Sequence, residues 1–412
     1  MKDLKATIRL PQAVALYIAS VLGAGILIIP GISAEIAGPA AIIAWGTMAI
    51  LVIPMALTMA FLSQKYPDKG GVSHFVTLAF GERIGAIVGW FFLMSVPIGA
   101  PVVALTGSGY VSSAFGLNKN WNIILAIIIL VIALIINYIG MHIAGKIEVI
   151  VIVTIIGVLV LSIIGAVPNV DLNNFTPFMP NGISSIGKAS TILLWCFIGW
   201  EAVSHLSSEF VNPKRDTILA TIIAAIIVGG LYFGIAFVTI GTKSYGSNIE
   251  ASLVKIIVDV IRVKGGAVIG LTSYIICLAT AISYIGAASR VAYSLSEKKF
   301  APKIMGQLSS KYKTPIGGLG FLAVCFMVII GIYSFELISL SKLIEIPNAT
   351  FTFTYLAGCA AGIALFRKGK YKFIVSLISL IITSVGTLFI GWPLLYPLLI
   401  ILVFRIVNRK RI

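Results

Sequence analysis

Two short stretches of this 412-residue chain place polar chemistry inside apolar surroundings. Gly23-Ala24-Gly25 interrupts the first and Gly199-Trp200-Glu201 the second. Glycine carries no side chain, so a helix that opens there presents its backbone to a ligand at close range. Opening the first stretch frees amide donors around Ala24, Gly25 and Ile26 and carbonyl acceptors around Val21. A helix half that starts at the break aims the positive end of its dipole at it, which suits a carboxylate. Glu201 adds a carboxyl group within an apolar run, where an acid costs about 3 kcal/mol and normally faces a cavity or a partner. Two interrupted helices at corresponding positions of two halves mark the substrate site of a secondary carrier. The plainer reading of each glycine is close helix packing.

The elements that must hold these stretches are membrane spans. The chain is 59% hydrophobic and 11% charged, with a mean hydropathy of +1.08, too apolar for a soluble surface. With about 20 apolar residues per span, twelve are predicted: 11–32, 40–62, 84–108, 121–139, 147–167, 186–207, 218–240, 267–294, 316–333, 337–365, 373–389 and 393–407. The first lacks a small-residue cleavage site and reads as a span, not a removable signal. Pro30-Gly31 is expected to end it. Val72–Gly81 is too short to cross and reads as a re-entrant or interfacial helix. The apolar spacing over 248–264 predicts a second interfacial helix on the opposite side.

The formal charge of +16 reports orientation. Most of the 30 lysines and arginines, from Lys2, Lys5 and Arg9 through Arg290 to Arg409, fall on the side of the N-terminus. The positive-inside rule then puts both termini in the cytoplasm, the expected location being the inner cell membrane. The charge implies contact with the lipid bilayer, not a nucleic-acid partner. Lys146 and Glu148 read as solvated link charges between spans four and five, and Lys342 with Glu345 as a helix-surface ion pair.

Several chemistries find no support in the residues. Cys196, Cys277, Cys325 and Cys359 lie in spans without metal-ligand spacing, and His74, His142 and His205 are scattered. No phosphate-binding loop is present, so no cofactor and no ATP are expected. No nucleophile–base pair suggests an intramembrane enzyme, and no repeated polar ring suggests a channel. Thr280 and Ser283 in span eight either coordinate an ion such as sodium or bond to their own helix, the latter being the default. The broken spans one and six stand five apart, an odd number, so a second unit of five enters the membrane in the opposite sense. The chain then divides into an inverted pair, 1–167 and 186–365, with two further helices over 371–412, all in one transmembrane domain.

These residues carry a resemblance. Gly23-Ala24-Gly25 with Pro30, Tyr66-Pro67 with Gly70-Gly71 and Ala79-Phe80-Gly81, Phe197-Ile198-Gly199-Trp200-Glu201, Asn212-Pro213-Lys214-Arg215 and Ser289-Arg290 are similar to the motifs of the amino acid–polyamine–organocation superfamily, over essentially the whole chain. The resemblance implies an all-α, LeuT-type fold and a central site at the two breaks. Amides around Gly23, Ala24, Gly25 and Ile26 would hold a substrate carboxylate there. The carbonyls of Val21, Trp195 and Ile198, beside Phe197 and Gly199, would hold its amine. Trp195 and Tyr284 stand where relatives place aromatic gates, and Glu201 where they place a proton-linked acid. Two departures are visible: Ala24 replaces a common serine, and span five lacks the lysine of some proton-coupled relatives. The expected function is secondary-active transport of a small neutral apolar amino acid, in the export direction and coupled to protons. Import or exchange, sodium coupling, and a cationic amino acid or polyamine substrate are the alternatives.

Overall fold

The computed structural model describes residues 6–23, 25–246, 265–388 and 390–408. The interfacial helix expected over 248–264 lies outside them, as does Ala24. Among the described residues the architecture is helical, and eight helices are long and apolar enough to cross a membrane. The first predicted span is two pieces, α1 (Leu10–Val21) and α2 (Gly25–Ala37). Pro11 opens α1, where its missing amide proton costs nothing. Pro30 does not stop α2 as expected but lies inside it. A proline removes one ladder bond and crowds one carbonyl, and here the ladder resumes behind it.

α3 (Ala41–Lys65) leads by a tight turn to the short α4 (Val72–Phe80). α5 (Glu82–Phe115) is 34 residues long with Pro97 and Pro101 in its middle. α6 (Lys119–Ile139) and α7 (Met141–Ala166) follow, separated by Gly140 at φ +124°. The sixth predicted span consists of α8 (Ile183–Leu193), a 3₁₀ turn over Leu194–Phe197, and the one-turn α9 (Trp200–Ser204). α10 (Pro213–Gly241), α11 (Gly265–Glu297), α12 (Ile316–Ser334), α13 (Leu340–Leu365), α14 (Lys370–Thr387) and α15 (Leu395–Val407) complete the bundle.

α5 and α11 share the most extensive interface and form the spine of the core. Small residues make this possible. A Cβ on Gly107 would stand 2.6 Å from the Cβ of Cys277, so only a glycine lets the two backbones come this close. The outer surface is apolar. Along α7, Ile150, Val153, Leu161 and Ile164 are each more than 60% exposed on one helical stripe. An apolar face of this extent belongs against lipid chains, because water would not tolerate it.

Three charge assignments need correction. Glu148 is not a link charge, because α7 begins at Met141 and carries Glu148 two turns inward, fully buried. Lys146 on the same helix stays exposed. Arg290 is also fully buried and does not belong to the solvated basic set. Glu345 accepts the indole N–H of Trp392 in place of the expected Lys342 pairing.

Candidate site at two broken helices

Both breaks follow from local backbone chemistry. At the first, the Leu22 amide closes the last turn of α1 onto Ile18, while the Gly23 amide turns back to the Val21 carbonyl at 2.9 Å. The ladder is thereby cut, and α2 restarts at Gly25. At the second, Ile198 is extended and Gly199 adopts φ +135°, ψ −17°, a conformation that side chains disfavour. The two breaks touch: a Cβ on Gly199 would lie 2.4 Å from the Ser20 carbonyl oxygen.

Glu201 closes the second break on itself. Its Oε2 accepts the Gly199 amide at 3.0 Å, and the hydroxyl of Tyr355, from α13, accepts the amides of Gly199 and Glu201 at 3.2 Å each. Glu201 is fully buried, and its other oxygen, Oε1, has no hydrogen-bond partner among the described residues. One carboxylate oxygen thus holds the backbone of the break.

Tyr232 of α10 ties the two breaks from behind. Its hydroxyl lies 2.9 Å from the Val21 carbonyl and 3.0 Å from that of Cys196. The Val21 acceptor expected to meet a substrate amine therefore already has a donor. Phe197 packs between Trp45 and Tyr232, with ring centroids at 6.1 and 5.1 Å. Ile26 and Gly25 are buried at the start of α2, and Gly23 faces Thr280. The side chain of Trp195 lies outside the described residues. Tyr284 is half-buried and stands edge-on to Phe351 at 5.4 Å, in one aromatic cluster with Phe92. Replacing Tyr232 by phenylalanine is expected to destabilise the protein by about 1 kcal/mol, since the hydroxyl shared by the buried Val21 and Cys196 carbonyls is lost while Val21 keeps the Gly23 amide. A thermal-unfolding midpoint equal to wild type would contradict that role.

The span-eight hydroxyls are engaged. Thr280 bonds to the Ala19 carbonyl at 2.9 Å and to its own helix at Ile276, taking up a carbonyl that the break in α1 strands. Ser283 donates to Glu148 at 2.9 and 3.1 Å to its two oxygens. Sequence reasoning missed three residues here: Tyr232, Tyr355 and Glu148. A buried carboxyl just before a long β-branched run, with no breaker after Gly140, was the available signal for Glu148. A tyrosine inside a span carries no local mark of its distant partner.

One end of the bundle is sealed beside the site. The Thr7 and Ile8 amides donate to the Glu209 carbonyl at 2.8 and 2.9 Å, and Ile8 pairs with Phe210 in a parallel bridge. Arg290 Nε meets Glu209 Oε1 at 2.7 Å, with both side chains at 5% exposure or less. The His205 ring packs against Phe92 with centroids 4.1 Å apart, tilted by 35°, and fills the space where Gly71 lacks a side chain.

A sequence model described as amino acid permease matches residues 8–410, the whole of both breaks and nearly all of the chain. The chain belongs to the amino acid permease family. The permease is 36% identical over 399 residues to the uncharacterized amino acid permease YecA of Bacillus subtilis, covering 96% of this chain and 94% of that one. It is 30% identical over 409 residues to the L-methionine/branched-chain amino acid exporter YjeH of Escherichia coli, covering 97% and 96%. It is 25% identical over 402 residues to the branched-chain amino acid permease BcaP of Bacillus subtilis, covering 89% and 82%. The superfamily resemblance of the sequence motifs therefore holds, and the family and these relatives are permeases.

Proposed function

We propose that this permease is a secondary-active exporter of neutral apolar amino acids, methionine, leucine, isoleucine and valine, working by alternating access at the two breaks. The observation that carries the reading is the contact of Gly199 with the Ser20 carbonyl, which brings two interrupted helices to one point inside the bundle. Backbone groups at such a point can hold the carboxylate and amine common to all amino acids, while apolar walls select the side chain. The relatives that carry methionine and branched-chain amino acids support this substrate class. In this reading 1–167 and 186–365 form a LeuT-type inverted repeat with 371–412 appended. Both termini are cytoplasmic in the inner membrane, and the sealed end is the cytoplasmic gate.

Glu201 is the coupling group in this account, with Oε1 as the position for a proton. A proton added or lost beside the break changes the relative energy of the two facing states, which is what coupling requires. Its bond to the Gly199 amide favours a second reading, a structural acid that only caps the break. Sodium at Thr280 and Ser283 is the weaker alternative, because both hydroxyls already have partners.

Counterflow in proteoliposomes tests the function. Vesicles loaded with unlabelled methionine are expected to accumulate labelled methionine and leucine saturably, and not lysine or a polyamine. Glu201→Gln keeps the shape and the cap but cannot titrate. It is expected to retain exchange and lose acceleration by a pH gradient. A Gln variant with full proton-driven transport would return Glu201 to a capping role, and flux that never saturates would indicate a channel.

A further inference from the structure

An open cavity of about 540 Å³ lies at the sealed end, between the segment entering α1, the start of α7 and the chain before α10. Arg9, His142 and Lys146 line it with Thr7, Gln12 and Val211, and among the described residues no carboxylate does. Arg9 and Lys146 are exposed, and among the described residues neither takes part in an ion pair. Neither α1 nor α7 has an acidic residue in its first turn, so no side-chain charge offsets the positive end of either dipole at the cavity, although Gln12 Oε1 accepts the Arg9 amide at the start of α1 at 2.8 Å. Two cationic side chains, an imidazole and two helix starts make a receptor for an anion of phosphate type.

The surroundings say which source of phosphate fits. Ile143, Lys146, Ile150 and Val153 follow one another at helical spacing on the outer stripe of α7, and the three apolar members are 39%, 69% and 65% exposed. Lys146 therefore sits within an exposed apolar stripe and lines the cavity as well, as a long side chain with an apolar stem and a charged end can. A soluble anion would use only the cavity. An amphiphile uses the cavity and the stripe together.

We propose that this cavity binds the phosphate headgroup of an anionic phospholipid, with the acyl chains lying along Ile143, Ile150 and Val153. The site has a direct mechanical consequence. Arg9 follows Thr7 and Ile8, whose amides hold the Glu209 carbonyl, so a headgroup on Arg9 fixes the segment that closes this end. Lipid charge would thus stabilise the closed gate, whichever amino acid is carried.

The test uses the purified full-length protein with phosphatidylglycerol, phosphatidylcholine or inorganic phosphate, read by native mass spectrometry and by thermal unfolding. Wild type is expected to retain phosphatidylglycerol over phosphatidylcholine and to gain thermal stability from it alone. Arg9→Gln and Lys146→Gln, both at exposed positions, are each expected to weaken that retention about fivefold. Arg367→Gln with Lys368→Gln, an exposed basic pair away from the cavity, controls for general surface charge and is expected to change nothing. Retention by the Arg9→Gln/Lys146→Gln double variant equal to wild type would overturn the site. Stabilisation by inorganic phosphate alone, equal to that by phosphatidylglycerol, would overturn the lipid assignment.

Discussion

Replacing Gly199 by alanine is expected to cut transport at least a hundredfold and to lower the thermal-unfolding midpoint. Two independent costs combine at this residue. Its φ of +135° is open to glycine and strained for any L side chain, by about 1–3 kcal/mol. The added Cβ would also stand 2.4 Å from the oxygen and 2.8 Å from the carbon of the Ser20 carbonyl. Those atoms are backbone and cannot swing aside, so the two breaks must separate. Separation displaces the Glu201 and Tyr355 contacts and moves the amides away from Val21, which a hundredfold loss, about 2.7 kcal/mol, would reflect. Gly230→Ala in α10 is the matched control, because a Cβ there meets nothing within 4 Å. That variant should transport normally. Wild-type exchange by Gly199→Ala would show that the contact between the breaks is incidental.

The second large effect is expected at the buried pair of Arg290 and Glu209. Removing one partner leaves a full charge unpaired in the interior, a cost of about 3–5 kcal/mol. Arg290→Met and Glu209→Gln should therefore each lower stability markedly and loosen the Thr7–Ile8 segment held by the Glu209 backbone. Reaction of a cysteine placed at Thr7 with a membrane-impermeant thiol reagent reads that loosening. Replacing both partners by methionine removes the unpaired charge, and much of the stability should return. A double variant no more stable than either single one would mean that the pair is not the clamp.

What could be read in the sequence was local. The breaks at Gly23–Gly25 and Gly199 were legible because glycine in an apolar run changes the backbone wherever the chain goes next. α4 was legible from its length and flanking glycines. The errors came from context. Lys146 and Glu148 sit together after a glycine and look like a link, yet the helix that begins at Met141 turns Lys146 outward and Glu148 toward Ser283. Arg290 stands near a basic loop and looks solvated, yet its partner Glu209 is 81 residues away in sequence. Tyr232 and Tyr355 reach the breaks from 211 and 156 residues away, to Val21 and Gly199 respectively. Pairings over such separations depend on how helices stack, which no spacing rule along the chain encodes. The first break stayed legible while the end of its helix did not, because Pro30 perturbs one turn and leaves the next intact.

The most direct test of the central claim is equilibrium binding of labelled L-methionine to purified protein, comparing wild type with Gly25→Val. Gly25 begins α2 at the break, where in the proposed site the backbone approaches the ligand with nothing in between. Wild type is expected to bind methionine saturably and stereospecifically. Gly25→Val is expected to insert, fold and elute as wild type does while binding at least tenfold more weakly, about 1.4 kcal/mol. Near-normal methionine affinity in that variant would place the substrate elsewhere and contradict a site built on the two broken helices.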